Sequence, residues 1–232
     1  MQDLVGIVHS NATSIKRESR GTKKAVYIQA KKGLYINLKY SIEYFLTFCL
    51  VIPLLPFLGV VAILIKFDSR GDIFFRQTRY GKSGVPFTIF KFRTMIDGAH
   101  QLQHKLTHLN EMDGGRLFKS DNDPRVTRIG KFLRKTSIDE LPQLFNILKG
   151  DMTIIGPRPL STPLEEYDQE DLIRFKVKPG LGCIWQAYFR KETDFKTWMK
   201  TDAIYVNSVS AKLDIKLFLT IAKNVLITKG AR

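Results

Sequence analysis

The chain has 232 residues, 44% of them apolar, and a formal net charge of +15 with a pI near 9.8. That is enough for one domain with a real core, or one domain with a membrane attachment, and too apolar for a disordered chain. The positive charge demands an acidic partner: nucleic acid, an anionic membrane face or a phosphorylated substrate. Two cysteines, Cys49 in an apolar run and Cys183 in a Gly-rich loop, offer neither a disulfide framework nor a zinc-type spacing. The first residues lack the charged, apolar, small order of a signal peptide.

Residues 1–30 are polar and mixed, with Lys16, Arg17, Arg20, Lys23 and Lys24, and read as a peripheral basic arm. Residues 44–65 carry no charge. As a helix they would measure roughly 33 Å, against a bilayer core of about 30 Å. A single spanning helix is the simple reading, but Pro53 and Pro56 lie inside the run. Both flanks are also basic: Lys31, Lys32 and Lys39 before, Lys66, Arg70, Arg76, Arg79 and Lys82 after. A spanning helix should bias lysine and arginine to one side. Matching flanks favour a hairpin that enters and leaves by one face, with legs of roughly 18 and 14 Å, too short to span.

Residues 73–78 and 86–92 read as two strands joined through Gly81-Lys82-Ser83-Gly84. Arg76, Arg79, Lys91 and Arg93 make this hairpin basic, suited to solvent or to an anionic headgroup layer with Lys91 and Arg93 near a phosphate. His100, His104 and His108 recur every four residues, but the outer two would stand roughly 12 Å apart on a helix, too far for one ion. An exposed polar helix face is expected there. Asp121 and Asp123 suggest calcium, yet the glycine and distal glutamate of an EF-hand loop are missing.

Residues 131–160, KFLRKTSIDELPQLFNILKGDMTIIGPRPL, hold the most chemistry. Asp139 and Glu140 are adjacent, between a basic run (Lys131, Arg134, Lys135) and a stiff Gly156-Pro157-Arg158-Pro159 turn. Paired carboxylates among fixed cations suit a site for phosphate and a divalent ion. The same letters also spell a helix start: Ser137-x-x-Glu140 fits a capping box, Leu141, Leu144, Phe145 and Leu148 make an apolar stripe, and Gly150 is a stop. With Ser137 as cap, Pro142 would break the ladder; with Asp139 as cap, Pro142 falls harmlessly in the first turn. Beyond an acidic stretch at 165–171 comes Lys178-Pro179-Gly180-Leu181-Gly182-Cys183-Ile184-Trp185-Gln186, either an ordinary turn into a strand or a loop on which a base could lie closely. Residues 214–228 form an amphipathic helix, with Leu213, Leu217, Phe218, Ile221 and Val225 on one face. Asp214, Thr220, Lys223, Asn224 and Thr228 make a polar stripe. Core packing and in-plane membrane burial both fit it.

Phe92-Arg93-Thr94-Met95, Asp123-Pro124-Arg125, Ser137-Ile138-Asp139-Glu140-Leu141-Pro142-Gln143 and Gly156-Pro157-Arg158-Pro159 together resemble the bacterial sugar transferases, the small monotopic polyprenyl-phosphate phosphoglycosyl transferases. The resemblance runs from about Lys39 to the end of the chain. It implies an α+β, mainly helical fold: a re-entrant helix-break-helix hairpin and a small cytosolic domain with a β-hairpin and interfacial amphipathic helices. The expected division is a basic arm over 1–38, the re-entrant helix over 39–66 and a membrane-associated catalytic domain over 67–232. The family's basic pair and Asp before the helix are approximated by Lys39 and Glu43, and Leu55-Pro56 replaces its Ser-Pro bend.

The implied activity is transfer of a sugar-1-phosphate from a UDP-sugar to undecaprenyl phosphate, releasing UMP, as the first membrane step of polysaccharide or glycoconjugate synthesis. Asp139 is the expected nucleophile and Glu140 the Mg2+ ligand, with Arg93, Arg134 and Arg158 on phosphate. Pro179, Gly180 and Gln186 are expected at the nucleotide end, although the family's usual Thr-Gly is Gly182-Cys183 here. The expected setting is the cytoplasmic face of the bacterial inner membrane, with anionic lipids as partners and homodimerisation left open. A nucleic-acid-binding protein fits poorly, since the charge flanks an apolar run instead of lining one face with stacking aromatics. A catalytically inactive membrane scaffold of a polysaccharide assembly complex is the remaining rival, against which the intact acid pair speaks.

Overall fold

One helix carries the rest of the molecule. The structure, a computed structural model, describes residues 22–110, 120, 123–189 and 192–227, so Asp121 and most of the basic arm lie outside the described residues. Helix α1 (Thr22–Asp68) has 47 residues and contains both Pro53 and Pro56. The expected break is absent, and the boundary expected at residue 39 falls inside the helix. Each proline removes one backbone donor, to the carbonyls of Cys49 and Ile52. What holds the helix through them is its inward face. Val51, Leu58, Val61 and Ile65 are buried, with Leu54 beside them, at the three- and four-residue spacing of one helical face. The same face continues backwards as Thr47, Glu43 and Lys39, also buried. The other faces leave Leu34, Leu38, Phe45, Ile52, Val60, Ile63 and Phe67 exposed.

Strands β1 (Phe74–Tyr80) and β2 (Pro86–Phe92) pair antiparallel, Phe74 opposite Phe92 and Tyr80 opposite Pro86. The hairpin is as expected, its first strand reaching two residues farther. The histidines do not share an α-helical face: Gln103–Leu109 is a 3-10 helix, whose three-residue turn puts positions four apart on different sides. Helix α2 (Arg128–Thr136) starts at Thr127, whose side chain accepts from the Gly130 N–H. A Cβ on Gly130 would collide with the Thr94 backbone, so α2 lies directly on the chain leaving β2. A 3-10 turn, Ile138–Glu140, leads to α3 (Gln143–Leu148).

A second sheet was not foreseen: β3 (Thr153–Ile155) pairs parallel with β4 (Gly180–Gly182). Three residues per strand, two of them glycine in β4, carry no readable alternation. Helices α4 (Ile184–Tyr188), α5 (Phe195–Ser208) and α6 (Ala211–Ile227) complete a mainly helical domain. Its core runs through several clusters, one of them Ile155, Val177, Ile184, Tyr205, Val209 and Leu217. Leu144, Ile147, Met152, Ile89, Phe92 and Leu133 pack under α1. Trp185 stacks on Trp198 with centroids 4.0 Å apart among Leu160, Tyr167 and Phe195.

Helix α6 sits differently from the expected face assignment. Leu217 is fully buried and Asp214 is buried as well, while Ile215, Phe218, Leu219 and Leu226 are exposed. The acid turns inward because a buried lysine, Lys39, waits there: their atoms are 2.7 Å apart.

Candidate functional site

The acid pair is placed by backbone geometry on both sides. Ser137 takes a left-handed conformation, φ 58°, which ends α2 and turns the chain into the Ile138–Glu140 turn. Its side chain caps nothing, and neither does that of Asp139; Pro142 itself precedes α3. The capping-box reading is therefore incorrect. A left-handed serine offers a sharper corner than a cap residue in extended geometry, and the proline is harmless at the helix start. Beyond the turn, Asn146 is wholly buried and works as a strand mimic. It accepts from the Phe90 N–H at 3.0 Å and donates to the Thr88 carbonyl at 2.7 Å. That double bond clamps α3 to the edge of β2 and brings Glu140 against Lys91.

Glu140 accepts from Lys91 Nζ at 2.7 Å and from both Nη atoms of Arg158, one of them at 3.3 Å. Burial works against its charge, but Arg158 and Lys91 outweigh burial and hold Glu140 well below the usual carboxylate range. Asp139, next to it, is just as enclosed yet makes no hydrogen bond or ion pair among the described residues. Burial raises its carboxyl above the ordinary aspartate range. Lys91 opposes that, the Glu140 charge adds to it, and Arg134 and Arg158 oppose it again. The result is a carboxylate surrounded by cations that do not bind it.

Arg134 is fixed beside the pair by its Nε bond to Thr94 Oγ1, 2.9 Å. Arg93 is not brought to it. Its guanidinium donates to the carbonyl and hydroxyl of Ser69, at 2.7 and 3.0 Å, just past the end of α1, and it is not among the largest influences on the Asp139 carboxyl. Arg158 comes from the turn after β3, where its carbonyl accepts from Arg174. Arg158 also borders a shallow cleft with Tyr80, Arg174, Phe175 and Pro179. Of the residues expected at the nucleotide end, only Pro179 faces that cleft. Gly180 touches the Gly156 backbone so closely that any Cβ would collide with it, so its smallness serves the β3–β4 contact. Gln186 is buried in α4, its N–H on the Cys183 sulfur at 3.4 Å. Burial pushes the Cys183 thiol up to about 12, so it caps a helix and is no nucleophile.

Among the described residues no three His, Cys, Asp or Glu side chains gather around one point. Magnesium does not need them: one or two carboxylates with substrate phosphates suffice. Glu140 Oε2 has only the 3.3 Å bond to Arg158 Nη1, and Asp139 has none, so the pair retains oxygen lone pairs for a hard cation. The donor set fits such an ion.

Sequence reasoning passed over Asn146, Arg174 and Tyr205, and read Thr94 only as a letter of a motif without a role. Each acts through a contact between segments far apart in the chain, and a lone threonine, asparagine or tyrosine gives no local signal of that.

A family model described as bacterial sugar transferase matches residues 34–228. The chain is similar to the galactosyl transferase CpsE of Streptococcus agalactiae, 38% identical over 97% of this chain and 53% of that one. It is 40% identical, over 78% of itself, to a Klebsiella pneumoniae protein named UDP-glucose:undecaprenyl-phosphate glucose-1-phosphate transferase, of which it covers 38%. It also covers the whole of the exopolysaccharide production protein ExoY of Sinorhizobium fredii, at 32% identity over 94% of this chain. Against the first two relatives the chain thus spans about half or less of their length.

Proposed function

The chain belongs to the bacterial sugar transferase family, and from that premise we propose that it is a phosphoglycosyl transferase, moving a sugar-1-phosphate from a UDP-sugar to undecaprenyl phosphate and releasing UMP. The observation that carries the proposal is the contrast inside the acid pair: Glu140 held by Lys91 and Arg158, chiefly through Oε1, and Asp139 buried among the same cations with no hydrogen bond among the described residues.

Asp139 is the nucleophile. One of its oxygens attacks the phosphorus that carries the sugar, the bond to the UMP oxygen breaks, and a phosphosugar ester of Asp139 forms. An oxygen of undecaprenyl phosphate then attacks the same phosphorus, and Asp139 leaves as carboxylate. A carboxylate is a weak nucleophile, and burial that raises its basicity strengthens it. The harder problem is bringing an anion to a phosphorus ringed by negative oxygens, and Arg134, Arg158 and Lys91 supply the neutralising charge. Arg93, at the end of α1, is left for a phosphate arriving along that helix. Glu140, with a magnesium ion when one is bound, adds Lewis-acid polarisation of the diphosphate. Pro179, beside Arg158, marks the side on which the nucleotide lies, with Gly180 and Gln186 shaping the loop behind it.

The experiment is to mix protein with UDP-sugar and no lipid acceptor. About one equivalent of UMP should be released and Asp139 should gain the mass of a sugar phosphate, both abolished by EDTA and restored by magnesium. Catalytic UMP release with no adduct would remove the covalent step, and an undiminished burst in EDTA would remove the metal.

The helix supports a one-face attachment to the membrane in place of the hairpin. From Tyr35 to Ile65 its inward side is covered by the domain, roughly 45 Å of contact. A polar, basic domain cannot follow a crossing helix into hydrocarbon. So α1 lies with its domain at the interface, its exposed leucines and phenylalanines in the acyl region beside Phe218 and Leu219 of α6. Cysteines placed at Leu34 and Arg70, with Cys49 changed to serine, should both react from the cytoplasmic side of sealed vesicles. Reaction from opposite sides would establish a spanning helix.

A further inference from the structure

Away from the acid pair, one more set of buried charges reaches the same chemistry. The three donors of the Lys39 ammonium meet three acceptors: the Ile155 carbonyl at 2.5 Å, Tyr205 Oη at 2.7 Å and Asp214 Oδ2 at 2.7 Å. Tyr205 Oη lies 2.8 Å from both the Ile155 carbonyl and Asp214 Oδ1. A hydroxyl has one proton, and both the Ile155 carbonyl, whose second lone pair is free beside Lys39, and Asp214 Oδ1 stand in reach of it. Tyr35 donates to Asp214 Oδ2 from the same turn of α1. The cluster therefore joins α1, α5 and α6, and its only backbone acceptor among those bonds is the last residue of β3.

From Ile155 the chain has no slack before Arg158. The Gly156 N–H bonds to the Gly182 carbonyl and the Pro157 carbonyl accepts from the Gly180 N–H, each at 2.9 Å. Gly156 is pressed on the Lys178 carbonyl with no room for a Cβ. Pro157 adds a fixed φ. A displacement of the Ile155 carbonyl is thus passed along a stiff turn to the arginine that holds Glu140.

We infer that Lys39, Tyr205 and Asp214 are positioning residues: through the Ile155 carbonyl they set Arg158 against Glu140, and they make the catalytic turn depend on how α1 lies against α6. The inference rests on the reading of Arg158 as a site residue. Both helices expose apolar faces and both enter the cluster, so the surface on which they rest bears on the geometry of the turn.

Lys39→Met would leave Asp214 and Glu43 without their cation and endangers folding. Tyr205→Phe removes a single hydroxyl and leaves every charge paired. The measurement is kcat/KM for UMP release with undecaprenyl phosphate in nanodiscs, from UDP-galactose, UDP-glucose and UDP-N-acetylgalactosamine, together with the Tm of each variant. Tyr205→Phe should lose roughly tenfold in kcat/KM, the scale of one buried hydrogen bond acting on the barrier. In an Arg158→Lys background the further loss should be under about twofold, because the group being positioned is gone. In an Arg134→Lys background the full roughly tenfold loss should return. An anchor that only holds the fold together would multiply equally in both backgrounds, and that result, or an undiminished Tyr205→Phe, overturns the inference. An Arg158→Lys protein as active as the wild type, or a wild type that releases no UMP from any of the three sugars, would overturn the reading of the site itself.

Discussion

Two buried charge clusters can be set side by side, the one around Lys39 and the one around Asp139. Both lie under α1 or beside it, and both pair acids with cations out of water. Around Lys39 every donor has an acceptor, and the Tyr205 hydroxyl has two within reach, the Ile155 carbonyl and Asp214 Oδ1. Around Asp139 the matching stops one residue short: Glu140 takes Lys91 and Arg158, and Asp139 takes nothing. A complete set of bonds leaves no capacity for a ligand and makes a scaffold. An incomplete one, surrounded by fixed cations, retains free energy that a phosphate can use.

The strongest way to break the comparison is Asp139→Asn. Asparagine is nearly isosteric and uncharged, so if Asp139 is the nucleophile, turnover should fall by three or more powers of ten, about 4 kcal/mol in the barrier. Stability should not fall, because burial already disfavours the charged form of Asp139. Comparing kcat and Tm on the same preparation checks both halves. A loss of Tm with retained turnover would make Asp139 the scaffold residue.

Lys39→Met tests the opposite case. Removing one member of a saturated cluster leaves Asp214 and Glu43 as buried carboxylates, a cost of roughly 3–5 kcal/mol in unfolding free energy. Urea titration should show that loss, and partial relief when Asp214→Asn is added. A silent Lys39→Met would mean the cluster is open to water.

Asp202 sharpens the comparison with an intermediate case. Arg174 Nη2 stands 3.1 Å from Asp202 Oδ2, yet neither carboxylate oxygen accepts a hydrogen bond among the described residues. Burial accordingly pushes the Asp202 carboxyl up to about 7, more than Arg174 lowers it. The folded state then holds a proton that the unfolded chain has released above pH ~4. Since the native state binds more protons in that window, stability falls as pH rises from about 4 to 7 and levels off above. Asp202→Asn should flatten that part of the Tm–pH curve and give its gain near pH 8. An unchanged curve would show that Arg174 fully compensates the charge.

Much of the site was legible from letters in a row. Asp139, Glu140, Arg134 and Arg158 fall in one stretch of the chain, and the Arg93 and Pro179 motifs were visible as well. Legibility failed where a residue's partner is remote. Arg93 was expected near phosphate, and its bond to the Ser69 carbonyl just past α1 is not written in its neighbours. Gly180 looked like room for a base and is occupied by the Gly156 backbone. Asp214 looked like the wet side of an amphipathic helix, because its partner lies 175 residues away.

The sequence alone determined the net positive charge, the apolar segment, the β-hairpin and the acid pair with its family, since these depend on composition and on neighbours within a few positions. The tertiary structure decided the continuity of α1 through two prolines, the parallel β3–β4 pair, the burial of Lys39 and Asp214, and which of two adjacent carboxylates is left unbound. Those follow from contacts between distant segments: a proline's lost hydrogen bond is outweighed by a packed helix face, and a buried charge is stable only where another element brings its counterpart.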